Sequence, residues 1–155
     1  MPSRRAGARA AAAILFLLLL LPAGGAVSRC LAADTVSVDV GSIYASNEGS
    51  SVDPALANIR GKLRAMFDYT NYKMLDRKRR ALAVGETGDF DLPGSRVMRV
   101  KPLPSEGKKV RLSIHIQEGS KSLLSTTLGL SRGGMVLVGG PSHEAGVLIF
   151  LISAD

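Results

Sequence analysis

The sequence predicts an α+β domain: mostly antiparallel β, in a sandwich or partly open barrel, with one amphipathic helix packed against it. Three observations point there. Apolar and polar residues alternate over short stretches, most cleanly where Val110, Leu112, Ile114 and Ile116 interleave with Arg111, Ser113, His115 and Gln117. After Tyr69, Gly/Pro turn signals recur roughly every 8–12 residues, as in small sandwiches and barrels. A single stretch, Asp53 to Phe67, has the three-and-four spacing of a helix instead.

The chain opens with the parts of a secretory signal: cationic Arg4, Arg5 and Arg9, an apolar run from Ala10 to Leu21, then Pro22 and small residues Ala23 to Ala26. The run is about a dozen residues long, short of the roughly 20 that span a bilayer core. Residues 1–33 are therefore expected to be a signal peptide, cut after about residue 26 or 32–33, and residues 34–155 a single β-rich domain. The only cysteine, Cys30, falls between the two cut sites, and Arg29 before it disfavours lipidation. Four of the 20 basic residues precede Asp34, so residues 34–155 carry 16 basic and 13 acidic side chains. The whole-chain charge of +7 falls to about +3 there, which removes the charge argument for a nucleic-acid partner.

Val36, Val38 and Val40 predict a first strand, and the small polar residues from Gly41 to Val52 predict a loop. Asp53 suits a helix N-cap and Pro54 the first helical position, opening a helix over 53–67 whose stripe is Leu56, Ile59, Leu63, Met66 and Phe67. Gly61, inside that helix, suggests a close approach to a neighbouring strand.

From there the pattern is β. Tyr72 to Val84 reads as a strand or bent strand pair, and Asp89 to Leu92 as a short strand closing on Pro93-Gly94. Val97 to Val100 is ended by Pro102 and Pro104. The Val110–Gln117 strand turns at Glu118 to Lys121 into Leu123–Leu130, a hairpin. Gly133-Gly134 turns into Met135–Val138, and Gly139-Gly140-Pro141 begins a polar loop. Val147 to Ile152 is apolar at every position, as in a central strand covered on both faces.

Few residues suggest chemistry. His115 and His143 lack the H-x-x-x-H or H-E-x-x-H spacing of a zinc site, and no cysteine follows Cys30. The pairs Gly133-Gly134 and Gly139-Gly140 lack the Lys-Ser/Thr and helix of a phosphate loop, and read as turns. Asp89 and Asp91 could share a strand face, but nothing around them suggests a cleft. No cofactor is expected, and no catalytic set emerges.

Two surfaces remain as candidates for partner binding. Arg77, Lys78, Arg79 and Arg80 form the one dense basic run; in a strand their side chains alternate between faces, which suits a solvated edge or, alternatively, an anionic partner. Tyr69 and Tyr72 form an aromatic pair at the helix-to-strand junction, either a core anchor or a binding patch.

The stretch from Ala45-Ser46-Asn47 through Asp53 and the helix to Tyr69-Thr70-Asn71-Tyr72-Lys73-Met74-Leu75 resembles a recurring pattern in small exported proteins of Gram-negative bacteria. Gly139-Gly140-Pro141 and Gly146-Val147-Leu148-Ile149 fit the same pattern. The resemblance implies a place in the envelope and no particular activity. The expected function is a non-enzymatic exported module that binds an envelope protein, touching the membrane only through its transient signal. The alternative is a small-ligand or lipid-binding barrel-like domain with the helix across its mouth, which requires an apolar cavity on the order of 300 Å³ between helix and sheet.

Overall fold

The computed structural model describes residues 34–155; the predicted signal, its cut sites and Cys30 lie outside the described residues. Eight strands are joined in two four-stranded antiparallel sheets. The front sheet, in the order β2-β1-β8-β7, contains β1 (Thr35–Ser46), β2 (Asn71–Ala83), β7 (Gly134–His143) and β8 (Gly146–Ala154). The back sheet, β3-β4-β5-β6, contains β3 (Gly88–Leu92), β4 (Arg96–Leu103), β5 (Lys109–Glu118) and β6 (Lys121–Ser131). The sheets do not close on each other, so the fold is the sandwich and not the barrel of the two predicted forms.

The helical segment lies between β1 and β2. It begins as a 3-10 helix, Pro54–Ile59, and continues as α1 (Arg60–Met66). Asp53 caps it, its Oδ1 accepting the Ala55 N–H at 2.9 Å, while its Oδ2 accepts the Met74 N–H of β2 at 3.2 Å. Leu56, Ile59 and Leu63 are buried, but Met66 stands 57% exposed and is not part of the stripe. The regular α-helix starts only at Arg60, so the spacing seen in the sequence drifts away from the sheet by Met66. Gly61 faces open space and marks no close approach.

Apolar packing divides into two clusters, one on each face of the front sheet. Between the sheets, Val36, Val38 and Val40 of β1 and Leu148, Phe150 and Ile152 of β8 meet the back sheet's inward residues, among them Met98, Leu112 and Ile114. On the opposite face, Ile43, Ala45, Tyr72, Ile149 and Leu151 are covered by Leu56, Ile59 and Leu63. β8 is covered on both faces, as its unbroken apolar run requires.

Three other expectations are corrected. The loop predicted from Gly41 is strand as far as Ser46: Gly41, Ser42 and Ser46 are buried, and the side chains of Met74 and Leu151 lie against Gly41. Pro102 does not end β4; it is paired opposite Leu112 and buried. β3 reaches only as far as Gly88 opposite Val100, and beyond it the one ladder contact among the described residues is the Pro102 carbonyl accepting the Gly85 N–H at 2.8 Å, so the missing N–H is tolerated. Gly139-Gly140-Pro141 lies within β7, at a bulge between Gly139 and Ser142. A Cβ on Gly140 would sit 2.6 Å from the Phe150 ring, so only glycine fits.

Candidate partner-binding surfaces

The basic run of β2 is divided by the strand's alternation. Arg77 and Arg79 turn to Asp39 on β1. The Arg77 guanidinium donates to both Asp39 carboxylate oxygens at 2.9–3.1 Å, and Arg79 donates to Oδ2 at 3.0 Å. Lys78 and Arg80 turn the other way, to β3. The Lys78 ammonium meets the Asp76 carboxylate at 2.9 Å and donates to the Asp91 carbonyl at 2.8 Å. The Arg80 guanidinium lies 5.6 Å from the centre of the Phe90 ring. All four cations therefore have partners inside the molecule, and they form no continuous patch.

Asp39 is only 4% exposed. Burial pushes its carboxyl up, but the hydrogen bonds and charges of Arg77 and Arg79 outweigh that and hold it below the usual carboxylate range. A concavity of about 210 Å³ beside it is lined by Ser37, Asp39, Arg79, Ser153 and Asp155, and the Asp39–Arg79 pair lies within it.

Of the aromatic pair, Tyr72 is 1% exposed, and its hydroxyl donates to the Phe67 carbonyl at 2.8 Å. That makes it an anchor for the end of α1 and corrects its place among partner-binding candidates. Burial raises its phenol above the ordinary value. Tyr69 is half-buried against the helix-side cluster.

The histidines have structural settings. His115 Nε2 lies 2.9 Å from Ser122 Oγ across the β5–β6 hairpin. The His143 ring packs edge-on to Tyr44, with centroids 6.2 Å apart. Nearby, Arg96 ties the two sheets together: it meets Glu118 at 3.0 Å and donates to the Pro93 and Ser142 carbonyls. Asp89 pairs with Arg99 at 3.4 Å, and Asp91 is an exposed edge residue.

The four sheet edges differ in a way that composition did not reveal. β2 is guarded by charge and by a bulge that leaves Leu75 unpaired between Met74 and Asp76. β3 is five residues long and carries Asp89 and Asp91. β7 holds Pro141 and a bulge. β6 has none of these protections along most of its length. After a bulge at Leu123 it runs in straight register from Leu124 opposite Ile116 to Ser131 opposite Lys109, with neither charge nor proline from Ser122 to Ser131.

Along β6, Ser125, Thr127, Gly129 and Ser131 are exposed, whereas Leu124, Leu128 and Leu130 turn toward the core. Leu124 and Leu128 are only half-buried, as are Val136 and Val138 on β7, so the seam between these two edges is an apolar strip left partly open among the described residues. At one end the strip deepens into a concavity of about 250 Å³ lined by Ile116, Leu123, Leu124, Gly139, Gly140 and Pro141. It is smaller than typical small-molecule sites of roughly 300–1,000 Å³ and is suited to single side chains. The helix, by contrast, packs directly on the front sheet and spans no barrel mouth, which removes the geometry required for the ligand-binding alternative.

No family model matches the chain, and no curated protein matches it. Among solved structures it resembles a cryo-EM structure of the T2SS secretin XcpQ from Pseudomonas aeruginosa, at 10% identity and a TM-score of 0.39. The match covers 78% of this chain and 56% of that one. A likeness this weak carries no conclusion about this chain.

Proposed function

We propose that this protein is an exported envelope module without catalytic activity, which binds a partner protein by adding a strand of that partner to β6. The observation that carries the proposal is the contrast among the four edges: three are blunted and β6 is open. A free edge offers a row of backbone donors and acceptors, and an incoming strand satisfies them while its alternate side chains fill a neighbouring groove. The apolar seam beside Leu124 and Leu128 is such a groove. Export rests on the cationic start, short apolar run and small-residue cut sites of the N-terminal sequence. No helix among the described residues is long and apolar enough to cross a membrane.

Site-specific photocrosslinking in the native cells tests this, with the reactive group placed in the full chain at Ser125 on β6 or at Lys73 on β2. An adduct with one protein is expected from Ser125 and not from Lys73. It should disappear in Thr126→Lys, which sets a charge on the seam side of the edge, while the unfolding midpoint of that variant stays near wild type. Adducts from Lys73 alone, or from neither position, would overturn the proposal.

A further inference from the structure

The outer face of the back sheet bears cations that the strand-addition reading does not use. Lys101 on β4, Lys109 and Arg111 on β5, and Lys108 and Arg132 in the adjoining turns are exposed, and their side chains make no ion pair or hydrogen bond among the described residues. They lie together because of register. Lys109 is opposite Ser131 and Arg111 opposite Gly129, and the Arg132 N–H donates to the Lys108 carbonyl. Lys108, Lys109, Arg111 and Arg132 thus gather at the Ser131 end of β6, with Glu106 the one acid in the neighbouring turn.

Gly129 gives this cluster a direction. It has no side chain, and the space beside it is open. The Arg111 side chain therefore meets no obstacle across β6, and an added strand would lie one further interstrand step of about 4.8 Å away. We infer that the strand received by β6 is acidic at this end: its seam-facing side chains are apolar, and the outward-facing side chain opposite Gly129 is Asp or Glu, paired with Arg111. The inference rests on strand addition and adds the chemistry of the partner. A second copy of this chain fits less well, because its own β6 has no acid from Ser122 to Ser131 to set opposite Gly129.

The test uses short peptides selected from a random displayed library against the full chain, followed by hydrogen exchange on β6 and by affinity measurement. Selected peptides should alternate apolar and acidic residues and protect the β6 amides. They should weaken by about tenfold when the acid is changed to Lys, a preference that vanishes in Arg111→Ser and in Gly129→Val. Peptides that protect β6 without an acidic preference, or whose preference survives Arg111→Ser, would overturn this inference and leave strand addition standing. Failure to select any peptide that protects β6 would remove strand addition itself. A dimer in sedimentation that is lost in Thr126→Lys would assign the edge to a second copy and overturn the acidic partner.

Discussion

Asp39 is an ionised side chain in the middle of an interior strand, on the face of β1 that also carries Ile43 and Ala45, and what makes it tolerable there is the pair of guanidiniums from β2. The two arginines remain 51% and 67% exposed, so they bring their own hydration to a carboxylate that has lost most of its water. Asp39→Asn keeps the shape and removes the charge. It should lower the unfolding free energy by about 1–2 kcal/mol at neutral pH, a figure kept small because the guanidiniums can return to water. The folded-state value lies below that of the unfolded chain, about 3.9, so this contribution is whole above about pH 4 and fades as pH falls through the folded value. Urea unfolding of both proteins over a pH series should show the gap closing on the acid side; a gap that stays constant with pH would mean that the charge is not its source. The sequence drew attention to Arg77–Arg80 as a surface motif because the counter-ion of Arg77 and Arg79 stands 38 and 40 residues earlier, and only strand pairing brings it near. The unpaired cations Lys101, Lys109 and Arg111 escaped notice for the opposite reason. Lys101 and Arg111 alternate with buried residues, and Lys109 opens the same amphipathic strand, so they read as the wet face of a strand and not as a site.

At the level of elements, legibility followed burial symmetry. β5 has one buried face and one wet face, and its alternation shows it; β8 is buried on both, and its unbroken apolar run shows that equally well. The second half of β1 was hidden because its buried residues include Gly41, Ser42 and Ser46, whose small size serves close packing and resembles loop composition. The helix was visible through its punctuation, yet Asp53 does more than its N-cap role suggests, since its second oxygen takes the Met74 N–H of β2. It joins helix start to sheet edge. Asp53→Ala should therefore cost more than the roughly 1 kcal/mol of an ordinary cap, whereas Asp53→Ser, which keeps an oxygen for the cap but is too short to bridge, should recover only part of the loss. Thermal unfolding of the three proteins orders them; equal losses in Ala and Ser would place the whole effect in the bridge to β2.

Residues 34–155 form three layers, in which β1 and β8 contribute alternate side chains to both apolar clusters. Leu148, Phe150 and Ile152 serve the space between the sheets, while Ile149 and Leu151 serve the space beneath the helix. A strand cannot hold its position for one cluster and give it up for the other, because successive side chains share one backbone and one register. The helix is short and begins as a 3-10 turn, too brief to persist without the sheet, so its order depends on the same strands. Helix and back sheet should then unfold together although no strand of the back sheet contributes to the helix-side cluster. Leu63→Ala, which opens a hole on the helix side, should cost about 2–5 kcal/mol. Hydrogen exchange should register that loss in the slowest-exchanging amides of β5 as fully as in those of α1, because both are released only by global opening. If α1 amides lose protection in Leu63→Ala while β5 amides keep theirs, the helix is a separately detachable layer, and the shared strands do not couple the two clusters.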